Sequence, residues 1–148
     1  ERLDKYFYLT RELLNNPIID DSLLDSESKV ILEKIGKSSR HNIKSVTEEM
    51  SQLSTEQIKS IFDILTSEIR EGKLEFYIIN GLYEKFVSYR KLMLEQIING
   101  SYNIIPPDVV YLASMYKLDK LLMKDYLKKL KDDNRISEEM YKMVEGEK

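Results

Sequence analysis

Residues 73–100 read KLEFYIINGLYEKFVSYRKLMLEQIING, and this stretch decides the fold class. Nothing but Gly81 interrupts it before Gly100, so it predicts one helix from Lys73 to Asn99 of about 27 residues, roughly 40 Å long. At 100° per residue, Leu74, Ile78, Leu82, Phe86, Tyr89, Met93 and Ile97 cover one broad arc. Phe76, Tyr83, Val87 and Leu94 lie along a second, Glu75 and Arg90 are charged interruptions, and Glu84, Lys91 and Glu95 mark the wet side. A helix apolar over half its circumference is either the centre of its own domain or shared with a partner. Central burial is the commoner cause of such a pattern. The sharper expectation is that Phe76, Tyr83, Val87 and Leu94 form a subunit seam, because a domain of about six helices has limited room to enclose so long a rod on both sides. Gly81 costs about 1 kcal/mol relative to alanine inside a helix and predicts a close backbone approach by another helix.

The flanking segments are helical too. Ser54-Thr55-Glu56-Gln57 is a capping box, in which the serine hydroxyl accepts the Gln57 N–H while the glutamine side chain returns to the N–H of Ser54. The helix it opens carries Ile58, Ile61, Phe62, Leu65 and Ile69 and stops at Gly72. Upstream, a segment from about Leu3 to Leu14 brings Tyr6, Leu9, Leu13 and Leu14 near one face and ends at Asn15-Asn16-Pro17, with a turn at Asp20-Asp21-Ser22. A second runs from Ser26 through Val30, Ile31, Leu32 and Ile35 to Gly36, and a weak third carries Ile43, Val46 and Met50. Downstream, Asn103 to Pro107 is an extended loop, Pro107 or Asp108 opens a helix reaching about Lys131, and a last helix starts at Ser137. No alternating Val/Ile/Thr run occurs, so strand content is expected near zero. The expected architecture is all-α: a single domain of about six helices around one long central helix, spanning residues 1–135, with a short C-terminal helix or tail over 136–148.

Composition narrows the function. The chain has 148 residues, 42% hydrophobic and 33% charged, enough for one compact domain. Its 23 basic and 26 acidic residues leave a net charge of −3, so any contact with a polyanion must be local. With no cysteine and one histidine, His41 in the polar run Ser38 to Asn42, thiol chemistry and zinc or iron sites are not expected. The paired acids Asp20-Asp21, Glu48-Glu49, Asp132-Asp133 and Glu138-Glu139 fall at helix ends and turns, where solvated caps are the usual explanation. The reading is of a protein that is not an enzyme, with no catalytic, cofactor-binding or metal-binding residue nominated, no membrane association and a cytoplasmic location.

Within the helix from Pro107, Lys117, Lys120, Lys124, Lys128 and Lys131 recur at spacings of 3, 4, 4 and 3, which aligns their ammonium groups along one face over roughly 20 Å. Such a stripe can follow a phosphate backbone. It is also what a solvated face with dipole-complementing lysines looks like, and Asp119, Asp125, Asp132 and Asp133 weaken its field. Nucleic acid is therefore a possible partner through this stripe, beside other copies or other protein subunits.

Lys44 to Leu130 resembles the helical domain of the GINS family, the non-catalytic subunits of the replicative helicase complex of archaea and eukaryotes. The resemblance lies in a helix opened by Leu53-Ser54-Thr55-Glu56, the amphipathic run Leu82 to Leu92, a Gly100 turn, and a further helix after Ile105-Pro106-Pro107-Asp108. Arg90 matches the arginine of the family's long helix, whereas the lysine follows immediately as Lys91 and position 93 is Met. The residues after Asn134 are too few for the family's small β domain. The resemblance implies a DNA-replication scaffold, associated with the nucleoid, acting through helix–helix subunit interfaces. The alternative is a small helical nucleic-acid-binding subunit of a ribonucleoprotein such as a type III CRISPR effector, with the lysine stripe on RNA or displaced DNA.

Overall fold

The computed structural model of the protein describes residues 24–146. Among them the chain forms eight α-helices and no strand: α1 Ser26–Gly36, α2 Ile43–Met50, α3 Thr55–Arg70, α4 Phe76–Lys85, α5 Arg90–Asn99, α6 Val109–Leu118, α7 Lys120–Asp132 and α8 Glu138–Gly146. The all-α class is as expected. The segment Leu3 to Leu14 and the turn at Asp20 to Ser22 lie outside the described residues.

Local side-chain chemistry sets half of the eight helix starts. The Asp25 carboxylate accepts the Ser28 N–H at 2.8 Å and opens α1. At α3 both halves of the capping box form, Gln57 N–H to Ser54 Oγ at 3.1 Å and Ser54 N–H to Gln57 Oε1 at 2.9 Å. Ser137 Oγ accepts the Met140 N–H at the head of α8. That helix buries Met140 and Val144 against α6 and α7 and so belongs to the same packed body. Gly72, at φ 73°, holds the left-handed conformation that ends α3.

The single long central helix is not formed. Lys73 to Glu75 stay outside α4, which ends at Lys85; Phe86 leaves helical space at φ −105°, ψ 79°, and a 3₁₀ turn over Val87–Tyr89 leads into α5. No glycine or proline causes the break; packing does. The swivel lays Tyr89 flat on the Phe62 ring of α3, centroids 4.0 Å apart, and sets Phe86 edge-on to the same ring at 5.3 Å. The carbonyls freed at the end of α4 are then satisfied by Arg90, which donates Nε to Tyr83 O at 2.7 Å and Nη2 to Glu84 O at 3.3 Å. Arg90 is buried, so the charge that reads as an interruption of the apolar face is in fact the plug of the break.

α4 is the hub. It packs on α2, α5 and α6, and Ile79, Leu82 and Tyr83 are sealed from solvent. Gly81 meets α2 as expected, but through a side chain and not a backbone: a Cβ there would lie 2.8 Å from Ile43 Cγ1. Tyr83 carries a cost. Its hydroxyl is buried with no hydrogen-bond partner, and burial pushes its pKa up to about 12. Tyr83→Phe is therefore expected to raise the unfolding free energy by about 1 kcal/mol at neutral pH. The unfolded tyrosine ionises near pH 10. Below that pH both states keep the proton, and between about 10 and 12 only the unfolded state loses it, so stability falls across that window. Urea titrations of the parent and the phenylalanine variant at rising pH should show a shallower alkaline decline in the variant.

Candidate interaction surfaces

The seam expected from Phe76, Tyr83, Val87 and Leu94 does not exist as a surface. Phe76, Tyr83 and Leu94 are buried in the chain's own core, and Val87, 64% exposed, stands apart from them on the 3₁₀ turn. Breaking the rod into two shorter helices lets neighbours surround each half; Phe76, for example, meets Tyr102 edge-on at 5.4 Å.

The lysine row is also divided. Asp119, at φ −153°, ends α6 and caps α7 by accepting the Leu122 N–H at 3.1 Å, so Lys117 belongs to a different helix from Lys120, Lys124, Lys128 and Lys131. Lys128 pairs with Asp132 at 3.2 Å, and Lys131 lies 3.7 Å from Glu138 and over the Tyr141 ring. Lys117, Lys120 and Lys124 are exposed and have no carboxylate within 4.0 Å among the described residues. A local cluster at the α6–α7 corner replaces the continuous stripe, and Leu121, 88% exposed, stands within it.

A groove of about 440 Å³ runs along α6, from the turn before it to Lys117, beside Met143 of α8. Pro106 starts the 3₁₀ turn that aims α6, and the Asp108 carboxylate closes that turn by accepting the Ile105 N–H at 3.0 Å. The groove is lined by Pro106, Val109, Val110, Ala113, Ser114, Lys117 and Met143. The small side chains of Ala113 and Ser114 leave space between the larger ones, Val110 is 69% exposed, and Lys117 is the one charged group among the described residues of the lining. Composition and charge did not single out this groove. Its available signal was Val110 and Met143, apolar residues on helices already supplied with a buried face.

Among the described residues no three His, Asp or Glu side chains are placed to hold a metal ion, and His41 is exposed in the loop before α2. Burial raises the Asp108 carboxyl above its usual range, but that oxygen is committed to the turn at Ile105. Burial likewise raises Glu68 on α3, against the opposing pull of Lys73. No helix among the described residues is long and apolar enough to cross a membrane. Comparison with protein-family models, with curated proteins and with solved structures gave no match.

Proposed function

We propose that the chain is a non-catalytic helical subunit of a multi-protein assembly, joining it by taking an acidic amphipathic helix of a partner into the groove between α6 and α8. The observation that carries this reading is Val110, held open in an apolar wall beside Met143 with the exposed ammonium of Lys117 at its end. A helix laying apolar side chains at i, i+3 and i+4 over Val110, Ala113 and Met143 buries that wall. A carboxylate on the same helix meets Lys117, with Lys120 and Lys124 steering its approach. The resemblance of residues 44–130 to GINS proteins names the assembly: a helicase-associated replication complex at the nucleoid, in which this chain is a scaffold. The family's continuous long helix has no counterpart here, so this narrower assignment rests on the sequence pattern alone.

The test is photocrosslinking from position 110 in the native complex, with identification of the attached segment. An acidic amphipathic helix of another replication protein is the expected product, and Val110→Glu combined with Met143→Glu should release that protein without unfolding the chain. Attachment to a second copy of this chain overturns the reading. The ribonucleoprotein alternative is favoured by one observation, that Lys117, Lys120 and Lys124 are exposed with no carboxylate within 4.0 Å among the described residues. It predicts instead that Lys120→Glu with Lys124→Glu abolishes binding of single-stranded RNA or DNA, and that parent binding weakens steeply with salt.

A further inference from the structure

We propose that the Met143 thioether is a reversible oxidation site whose conversion to the sulfoxide by peroxide closes the groove along α6, an inference that rests on that groove being a docking surface. The sequence has six methionines and no cysteine, and all six methionines lie among the described residues. Five are closed off: Met50, Met93 and Met115 have no exposed surface, Met123 keeps 1% and Met140 9%, whereas Met143 keeps 48%. Met140 and Met143 stand three positions apart on the same helix, so the contrast is one of face and not of region. α8 turns Met140 and Val144 to the body and leaves Met143 to line the groove with Val110. With no thiol in the chain to compete, this sulfur is where a dissolved oxidant reacts first.

The step is an oxygen-atom transfer. A lone pair on Sδ attacks one oxygen of hydrogen peroxide, and the S–O bond forms as the O–O bond breaks. The second oxygen leaves as hydroxide and takes the proton of the first to become water. Sulfur gives up two electrons and peroxide receives them. A thiol-dependent sulfoxide reductase reverses the change, releasing the oxygen as water while two thiols become a disulfide. The oxidised wall carries a strong hydrogen-bond acceptor where it had a thioether. An apolar helix face laid over that oxygen strips its water, and the polar side chains in the described lining are Ser114 and Lys117. A sulfoxide that draws on Lys117 takes the ammonium from the partner's carboxylate, so either arrangement weakens docking. A seated partner covers the sulfur, so oxidation acts on the free chain. The body is spared, because Met140 and Val144 are the residues that hold α8 in place.

Trypsin cleaves after Lys142 and so puts Met140 and Met143 on separate peptides for mass spectrometry. In dilute hydrogen peroxide, Met143 of the full chain is expected to gain one oxygen at least about tenfold faster than any of the other five, with the helical circular-dichroism signal kept. The groove is then probed with anilinonaphthalene sulfonate, an apolar ring system carrying an anion, and Val110→Glu defines the share of dye bound there. Oxidation should weaken that share about fivefold, and Met143→Gln should do so without oxidant. In Met143→Leu, whose own untreated affinity is the reference, peroxide should change nothing. Equal rates at Met140 and Met143, no dye binding that depends on Val110, an affinity unchanged by oxidation, or the same peroxide-induced loss in Met143→Leu would each overturn the proposal. Neither readout uses the native partner. Selective oxidation and loss of dye, with no partner captured from position 110, would therefore overturn the assembly reading alone.

Discussion

Gly100→Ala is expected to lower the unfolding free energy by about 3 kcal/mol, the upper end of what overpacking costs, and the melting temperature by about 10 °C. A Cβ at Gly100 would lie 2.7 Å from both Arg70 Cα and Gln96 O, and closer still to the Arg70 carbonyl oxygen. All three are backbone atoms, so no flexible side chain can move aside. The Ser101 N–H donates to that same Arg70 carbonyl at 2.9 Å, which couples the end of α5 to the end of α3. Relieving the clash must open this contact and expose part of the face through which α3 and α5 pack. Urea unfolding should show a lower midpoint with the slope unchanged. Gly36→Ala is the control, since a Cβ there meets nothing within 4 Å, and an equal loss at both glycines would sink the steric account.

Arg135→Ala should cost about as much, roughly 3 kcal/mol, for an electrostatic reason. From the turn between α7 and α8, the Arg135 guanidinium donates to Ile97 O at 2.8 Å, Ile98 O at 3.0 Å and Tyr102 O at 2.8 Å. Ile97 and Ile98 belong to the last turn of α5, whose carbonyls have no partner within the helix and whose dipole favours a cation. The alanine variant strips a planar fork of donors from three carbonyls at once. Arg135→Lys keeps the charge and loses the fork, so it should recover only about half of the loss. Full recovery by lysine would show that charge alone is at work. Both substitutions strike residues 97–102, the junction where α3, α5 and the α7–α8 turn meet.

The helical class, and α1, α2, α3 and α8 as separate helices, could be read from sequence, whereas α4 with α5 and α6 with α7 each read as one; where a helix end was legible, the evidence lies within a few residues of it. Ser54 and Gln57 form their reciprocal bonds across three positions, Ser137 reaches Met140, and Gly72 relieves a steric conflict within one residue. Asp119 belongs to this legible group as well. As an N-cap it marks the division between α6 and α7, a signal that the regular lysine spacing across it conceals. The groove at Val110 was less accessible, since an exposed valine on an amphipathic helix has the same spacing as a buried one.

Residues 73–99 show where local chemistry stops being sufficient. Every residue from Phe76 to Asn99 is compatible with a continuous helix, Gly81 included, and nothing in their order forbids one. The rod bends because Phe62, 24 and 27 positions away on α3, accepts both Phe86 and Tyr89 on its ring, and because Arg90 can return to the carbonyls that the bend exposes. Those gains exist only once α3 is in place beside the break. A pattern of apolar residues records that they will be covered; which atoms cover them depends on partners distant in the chain, and for Phe76, Tyr83 and Leu94 the chain itself provides the cover.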